Sequence, residues 1–189
     1  MKNVLMLAAA FAVMALAIGV YLQAGGSSNA PVAQAGDDDA RVMFHNAAGG
    51  PVGVAKLTQE DGEVLVRVTV HDLTPGFHGF HIHTTGVCTA PFTSAGGHFN
   101  PAVAGHPGHS GDMPVLLVNA DGTGEARFKT DRFAIADLLA GDGSAIIIHA
   151  GPDNYANIPT RYSATGADAT TLATGDSGAR AACGVIEGN

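Results

Sequence analysis

The stretch Glu63-Val64-Leu65-Val66-Arg67-Val68-Thr69-Val70 carries the clearest periodicity in the sequence. Every even-numbered position in it is valine, and the odd-numbered positions are mostly polar. Because successive side chains point to opposite faces of a β-strand, this pattern predicts a strand with one buried and one solvated face. Similar short runs occur on both sides of this stretch, and they favour an all-β protein.

Seven further segments are typical of short strands, and turn sequences rich in Gly, Asn and Asp separate most of them. They cover residues 41–46, 52–58, 79–83, 115–119, 125–130, 145–149 and 183–187. Eight short strands without a long helical period predict an antiparallel Greek-key sandwich or barrel. One short helix is expected over residues 133–140, with Gly141 just past its end.

The composition agrees with this fold class and narrows the choice of partners. The chain has 189 residues, of which 26 are Gly and 9 are Pro, as expected where many turns join short strands. Its formal net charge is −8, with only 9 Lys and Arg residues. Because phosphate binding needs clustered cations, nucleic acid and anionic membrane surfaces are disfavoured as partners. The length suits one compact domain plus an extra segment.

The extra segment lies at the N-terminus. Residues 4–22 contain no charge, and the small-x-small sequence Ala33-Gln34-Ala35 follows them. This pattern predicts a signal peptide or a membrane anchor with its linker over residues 1–35, and a folded domain over residues 36–189. Both alternatives export the domain to the periplasm, the cell envelope or the extracellular space. Contact with a membrane is expected only if the segment stays uncleaved.

The two cysteines of the chain, Cys88 and Cys183, bear on the same question. Outside the cytosol they can form a disulfide, and they are the one available pair. Such a bond would close a loop of about 95 residues, which chain-entropy estimates value at roughly 4–5 kcal/mol. Two buried free thiols are the alternative.

Two long Gly-rich segments, residues 84–114 and 151–182, interrupt the strand pattern. Loops of this length are uncommon unless they are functional or disordered. In His81-Ile82-His83, a strand would direct both imidazoles to one face. Because imidazoles that converge beside an apolar layer suit a metal ion, the sequence predicts a metal site assembled from distant segments. Six of the nine histidines lie in the first loop or at strand ends, namely His81, His83, His98, His106, His109 and His149.

Four motifs follow one another along this part of the chain. They are Gly76-Phe77-His78-Gly79-Phe80-His81-Ile82-His83, Gly96-Gly97-His98-Phe99-Asn100-Pro101, His109-Ser110-Gly111-Asp112 and Gly175-Asp176-Ser177-Gly178-Ala179-Arg180-Ala181-Ala182-Cys183-Gly184-Val185-Ile186. In this order they resemble G-F-H-G-F-H-x-H, G-x-H-[FY]-[ND]-P, H-x-G-D and G-[ND]-x-G-x-R-x-A-C-G-V-I of the copper/zinc superoxide dismutase family. The resemblance covers essentially all of residues 40–189.

The resemblance implies two metal cofactors and assigns ligands to each. Imidazole suits copper, and a closed tetrahedron of three imidazoles and one carboxylate suits zinc. The family pattern implies that one imidazolate bridges the two ions and that Asp153 links a copper-ligand imidazole to a zinc-ligand imidazole. The implied copper ligands are His81, His83, His98 and His149, and the implied zinc ligands are His98, His106, His109 and Asp112, with His98 as the bridge.

The implied activity is the dismutation of superoxide to oxygen and hydrogen peroxide, an oxidoreductase reaction. Arg180 would guide the anionic substrate, and Arg180 and His98 are the expected catalytic residues. The resemblance also implies a disulfide between Cys88 and Cys183. A homodimer stays open, because dimer contacts in this fold vary between lineages.

One departure from the family pattern concerns zinc. His106 and His109 are only three residues apart, across Pro107-Gly108, where most family members have a longer excursion. We expect zinc to bind despite the shortened loop, because the chain can turn back within these residues. Two alternatives stay open, namely a copper-only dismutase and a secreted copper-binding domain with little turnover. His45, His71 and His78 are expected outside the metal site, with His78 as a hydrogen-bonded core histidine.

Overall fold

A computed structural model describes residues 38–189 of the protein. The predicted signal peptide or anchor over residues 1–35 lies outside the described residues. Two short helices, α1 Ile135–Leu139 and α2 Thr171–Thr174, and a 3-10 turn over Thr93–Ala95 accompany the strands. None of the helices in the described part is long and apolar enough to cross a membrane. The nine strands are β1 Asp39–Asn46, β2 Pro51–Glu60, β3 Glu63–Val70, β4 Gly76–His78, β5 Phe80–His83, β6 Leu116–Val118, β7 Gly124–Thr130, β8 Ala145–His149 and β9 Arg180–Gly188.

All nine strands belong to one sheet with the order β4-β6-β7-β3-β2-β1-β9-β8-β5. The pairs β1–β9 and β3–β7 join strands that are distant in sequence, as Greek-key connections do. Every pair is antiparallel. The two end strands, β4 and β5, are separated in the chain by Gly79 alone, so the sheet curls into a nearly closed barrel. The predicted all-β Greek-key class is confirmed.

The structure has nine strands instead of the predicted eight, because a separate strand, β4, precedes Gly79, and the strand predicted over residues 79–83 begins after it as β5. β4 pairs with β6, whereas β5 pairs with β8. At the division, the Gly79 amide donates to the Gly151 carbonyl, and the Gly79 carbonyl accepts from the His149 amide. A Cβ atom at position 79 would overlap the side chain of Ser177. A residue without a side chain is therefore required where the chain changes partners.

The alternation in β3 fills the barrel interior as predicted. Val64, Val66, Val68 and Val70 are at most 3% exposed and belong to the main apolar cluster. Burying an aliphatic side chain of this size contributes about 1.5–3 kcal/mol. The largest side chains of the same cluster come from other strands and from α1, namely Phe44, Leu57, Phe80, Ile82, Leu116, Ile135, Leu138, Ile146 and Ile148.

A second, smaller apolar cluster fixes the first long loop to the barrel. Cys88 of the loop and Cys183 of β9 form a disulfide with a Cα–Cα distance of 5.7 Å. Phe92 and Ala95 of the loop pack with Cys183 and with residues of β8. The predicted disulfide is therefore confirmed, and the free-thiol alternative is wrong.

The second long loop is shorter than predicted. β9 begins at Arg180, three residues before the predicted strand, and places Arg180 opposite His149 of β8. The loop also contains α2, which is too short for a helical period to be visible in the sequence. The helix predicted over residues 133–140 is present over its central part as α1.

The change of strand partners at Gly79 gives a test of the fold. Gly79→Ala is expected to lower the free energy of unfolding by about 1–3 kcal/mol, the cost typical of overpacking. Gly97→Ala is the matched control, because a Cβ atom at position 97 has open space around it. Denaturant unfolding of both variants and the parent measures the difference. Equal stability of the two variants would contradict the steric role of Gly79.

Candidate metal centre

The first part of the centre comes from strand ends. β5 directs His81 and His83 to the same face, as predicted, and both are fully buried. β8 pairs with β5 and ends at His149, which is 4% exposed. The hydrogen bond from the His149 amide to the Gly79 carbonyl holds this strand end beside β5. Three imidazoles are therefore placed by the barrel itself.

The first long loop adds ligands by running alongside β5. Isolated β-bridges place His98 opposite His83 and Asp112 opposite His81. The Gly111 carbonyl accepts a hydrogen bond of 2.9 Å from the Ile82 amide. A Cβ atom at position 111 would overlap the Ile82 carbonyl, so glycine permits this close approach. The loop thus acts as an additional strand that delivers His98 and Asp112 to the histidines of β5.

Four buried ring nitrogens form the first group of candidate ligand atoms. Each of the four histidines offers one ring nitrogen as a ligand atom, and these atoms all lie within 4.8 Å of one another. None of the four nitrogens has a hydrogen-bond partner, whereas buried polar atoms in proteins nearly always have one. A metal ion supplies the missing partner for all four at once. The nitrogens are His81 Nδ1, His83 Nε2, His98 Nε2 and His149 Nε2.

The opposite ring nitrogens of this group have partners that fix the tautomer. His83 Nδ1 donates to the Gly96 carbonyl at 2.9 Å, and His149 Nδ1 lies 3.2 Å from the Gly178 carbonyl. Because a carbonyl can only accept a hydrogen bond, the Nδ1 atoms carry the N–H, and the unpartnered nitrogens of these neutral rings carry lone pairs that can bind a metal. Burial lowers the pKa of His83 to about 2 and that of His149 to about 3, which keeps both rings neutral.

A second group of candidate ligand atoms lies on the other side of His98. His98 Nδ1 is 2.8 Å from Asp112 Oδ1 and 3.2 Å from His109 Nδ1. His106 Nδ1 is 3.0 Å from Asp112 Oδ2 without forming a hydrogen bond. Ligands about 2.0–2.1 Å from zinc in a tetrahedron lie roughly 3.3 Å apart. The four side chains therefore stand at separations close to those of a zinc site.

Cluster geometry alone groups His81 with His98, His106 and Asp112, and omits His109. The orientation of the rings favours His109 instead. His81 directs Nε2 to Asp153 and Nδ1 to the first group, so neither nitrogen is available to the second. His109 Nδ1 is 3.2 Å from an Asp112 oxygen as well as from His98. The structure thus brings the predicted zinc residues together despite the short excursion between His106 and His109.

Asp153 joins the two groups. Its Oδ2 accepts a hydrogen bond of 2.7 Å from His81 Nε2, and its Oδ1 one of 2.8 Å from His106 Nε2. The Tyr155 amide also donates to Oδ1, at 2.7 Å. These donors lower the pKa of the Asp153 carboxyl although burial would raise it. A single carboxylate therefore orients one imidazole in each group.

The metal-free centre also shifts the pKa of His106. Burial on its own would lower this pKa, but the carboxylates of Asp112 and Asp153 raise it to about 9. In return, the neighbouring imidazoles of His106 and His98 lower the pKa of Asp112 against the effect of burial. His106 is thus protonated where His83 and His149 are neutral, and a metal ion would compete with this proton.

A cavity of about 490 Å³ opens onto the first group. His83, His98, His149 and Arg180 line it together. The guanidinium of Arg180 donates to the Phe92 carbonyl and, at 2.6 Å, to the Gly96 carbonyl. The cation is therefore held at the cavity wall by the same loop that carries His98.

Sequence reasoning missed the backbone acceptors of this centre. The carbonyls of Phe92 and Gly96 orient Arg180, and Gly96 also orients His83. Every residue has a carbonyl, so no side-chain pattern could identify these two.

The prediction for His78 is confirmed, because it is 2% exposed and its ring nitrogens lie 2.6 and 2.7 Å from backbone carbonyls. His71 is exposed, as expected.

The Greek-key barrel with its two buried groups of imidazole and carboxylate ligands defines a metalloprotein with two adjacent ion sites. A family model described as copper/zinc superoxide dismutase (SODC) matches residues 51–186. The chain belongs to this family. Its two ligand groups can hold the copper and the zinc ion that the family's description names.

Individual relatives agree with the family match. The chain is 48% identical over 158 residues to a Cu-Zn superoxide dismutase of Mycolicibacterium paratuberculosis, covering 73% of this chain and 69% of the relative. It is 47% identical over 159 residues to that of Mycobacterium bovis, covering 73% of this chain and 65% of the relative. The crystal-structure neighbour from Brucella abortus, a Cu/Zn superoxide dismutase, is 30% identical with a TM-score of 0.64, covering 79% of this chain and 99% of the neighbour.

The opposed pKa shifts predict how the stability of the metal-free protein depends on pH. In the unfolded chain histidine titrates near 6.5. Below that pH the unfolded chain binds protons at His83 and His149, whereas the folded protein leaves both rings neutral. The free energy of unfolding therefore falls by about 1.4 kcal/mol for each of these residues with every unit by which the pH decreases. Folded His106 binds its proton more tightly, so its contribution is present below pH 6.5 and is lost as the pH rises through about 9.

Metal-free protein is therefore expected to be most stable near pH 6.5. Thermal unfolding between about pH 4 and 10 measures the profile. In His106→Gln the decline above pH 6.5 should disappear while the decline below it persists. A midpoint that does not change between about pH 4 and 6 would contradict the assignment of neutral buried imidazoles.

Proposed function

We propose that the protein dismutates superoxide at a copper ion held by His81, His83, His98 and His149. The proposal is carried by one observation: four buried ring nitrogens lack a hydrogen-bond partner and face a common point. Membership of the copper/zinc superoxide dismutase family supports the reaction. A bound copper would supply one-electron redox chemistry, by which one superoxide is oxidised to oxygen and a second is reduced, with two protons, to hydrogen peroxide.

The proposal includes zinc bound by His98, His106, His109 and Asp112. His98 supports it most directly, because Nδ1 belongs to the second group and Nε2 to the first. One imidazolate can thus bridge two cations, with each nitrogen serving one ion. The separations of 2.8–3.2 Å among these side chains are close to those of a zinc tetrahedron, and they favour this arrangement over the copper-only alternative.

Arg180 gives the proposed site its preference for an anion. The chain carries a net charge of −8, so the protein as a whole repels superoxide. A fixed guanidinium at the wall of this 490 Å³ cavity, which Asp176 also lines, would supply a positive charge beside the proposed copper position. In the alternative of a copper-binding domain with little turnover, Arg180 would serve only to hold the loop through its two hydrogen bonds. In our proposal Arg180 and His98 are the residues that contact the reacting anion or the copper ion.

Export of the protein is part of the proposal. The Cys88–Cys183 disulfide supports it, because disulfides persist in oxidising compartments. A domain over residues 36–189 that follows a signal peptide or anchor over residues 1–35 would reach the periplasm, the cell envelope or the extracellular space. Whether the protein forms a homodimer stays open, and light scattering on the purified protein measures it.

Removal of a copper ligand tests the proposed function. His81→Ala and His149→Ala are each expected to lose copper, and to lose more activity than the roughly 10–100-fold that removal of an outer partner costs. Metal content per chain and the rate of superoxide decay measure both effects. The matched control is His71→Ala, because His71 is exposed and contacts Asp72 outside the centre. Full activity of either ligand variant after copper loading would refute the assignment.

Reversal of the charge at position 180 tests the steering role. Arg180→Glu is expected to slow the reaction by about 10-fold or more, because an attractive local field becomes repulsive. Added salt should then accelerate the variant, whereas it slows the parent. Arg180→Lys keeps the charge and should keep the sign of the salt response. The same salt dependence in Arg180→Glu and the parent would show that this residue does not guide the substrate.

A further inference from the structure

The turn over residues 106–112 carries three of the four proposed zinc ligands. One side chain from outside the metal centre contacts this turn. Arg132 follows β7 by two residues and lies across residues 107–112. Its Nη1 donates to the carbonyl of Pro107 at 2.9 Å, to that of His109 at 3.1 Å and, more weakly, to that of Asp112 at 3.4 Å. Three carbonyls of a single short turn thus converge on one guanidinium nitrogen.

We propose that Arg132 is a positioning residue that fixes the zinc-binding turn to the barrel and thereby sets the affinity for zinc. The inference rests on the proposed zinc site. Arg132 touches neither ring nitrogens nor carboxylate oxygens of the ligands, so it acts through the backbone. Two of the three bonded carbonyls belong to the ligands His109 and Asp112 themselves.

The short segment between His106 and His109 explains why the turn needs the additional contact with Arg132. The end of the turn is attached to β5 by the hydrogen bond from the Ile82 amide to the Gly111 carbonyl, whereas residues 106–109 make no backbone hydrogen bond to a barrel strand in the described part of the chain. Their backbone bonds stay within the turn or reach the second long loop, as from the Gly108 amide to Gly105 and from the His106 amide to Leu172. Carbonyl dipoles that point to one place repel each other unless a donor stands between them. Arg132 supplies that donor from the end of β7, and a charged donor makes stronger hydrogen bonds than a neutral one.

Electrostatics separate a positioning role from a general effect of charge. A guanidinium beside a zinc site repels the incoming dication, so removal of its charge alone would strengthen zinc binding. Loss of a positioning contact has the opposite sign, because the ligands must then be ordered when zinc binds. The direction of the change in zinc affinity therefore distinguishes the two roles.

Arg127 offers a matched control on the same strand. It is exposed on β7 and lies opposite Arg67 of β3. Arg127→Met removes the same charge and retains a similar aliphatic length, as Arg132→Met does. Zinc and copper dissociation constants of the metal-free variants are measured by competition with a chelating indicator, and copper is titrated in the absence of zinc.

Arg132→Met is expected to weaken zinc binding by about 10–100-fold, the range typical of lost outer partners of a metal site. Its copper affinity should stay that of the parent, which also shows that the barrel is folded. Cobalt bound in place of zinc should lose the intense visible bands of a tetrahedral site. Arg127→Met should bind zinc as tightly as the parent or more tightly. Zinc affinity of Arg132→Met that equals or exceeds that of the parent would overturn the proposal.

Two further variants complete the test. If Arg132→Met does not fold, Arg132→Lys replaces it, because lysine keeps the charge but is shorter and lacks the planar fork. Weaker zinc binding by Arg132→Lys supports the proposal, and unchanged binding overturns it. His106→Ala tests the underlying site. If His106→Ala binds zinc normally, the proposed zinc site is wrong; if it loses zinc while Arg132→Met does not, only the role of Arg132 is wrong.

Discussion

Burial of polar ring nitrogens without partners is the constraint on which the rest of this structure depends. Six imidazoles and two carboxylates lie at most 8% exposed beside the apolar core, and several of their nitrogens make no hydrogen bond. Each unsatisfied buried donor or acceptor costs about 1–3 kcal/mol. The barrel and the disulfide must therefore hold together a centre that opposes folding until ions bind, and metal binding to the folded state alone then adds to stability.

Asp153 reduces this cost by serving both groups of ligands with one carboxylate. It accepts hydrogen bonds from His81 and His106, so each of these rings presents its other nitrogen to a metal group. Its position in turn restricts the second long loop, because a Cβ atom at Gly175 would overlap both Asp153 and His106. Gly175 also has a φ of 59°, which glycine adopts without strain. Loop backbone, carboxylate and imidazoles are thus mutually dependent.

Much of the fold could be predicted because it rests on side-chain patterns, whereas the candidate ligands were assigned by the resemblance to the family. The valine alternation of β3 defined a buried face, and the spacing of His81 and His83 defined a common side of a strand. The separate strand β4 and the change of strand partner at Gly79 could not be read in this way, since the change depends on the side chain of Ser177 from a distant loop. The early start of β9 at Arg180 likewise follows from pairing with β8, a tertiary contact.

The Gly96 carbonyl shows why the remaining part of the site escaped sequence reasoning and why that part matters. It accepts from His83 of the first ligand group and from Arg180 at the cavity wall, so one peptide group sets the relation between ligand and guiding cation. The disulfide links the loop that carries this peptide to β9, the strand that begins at Arg180. Loss of that covalent bond would remove one constraint on this peptide, beside the backbone hydrogen bonds from Thr84 to Gly97 and from Thr85 to Ala95. The disulfide therefore contributes to the geometry of the centre as well as to the stability of the barrel.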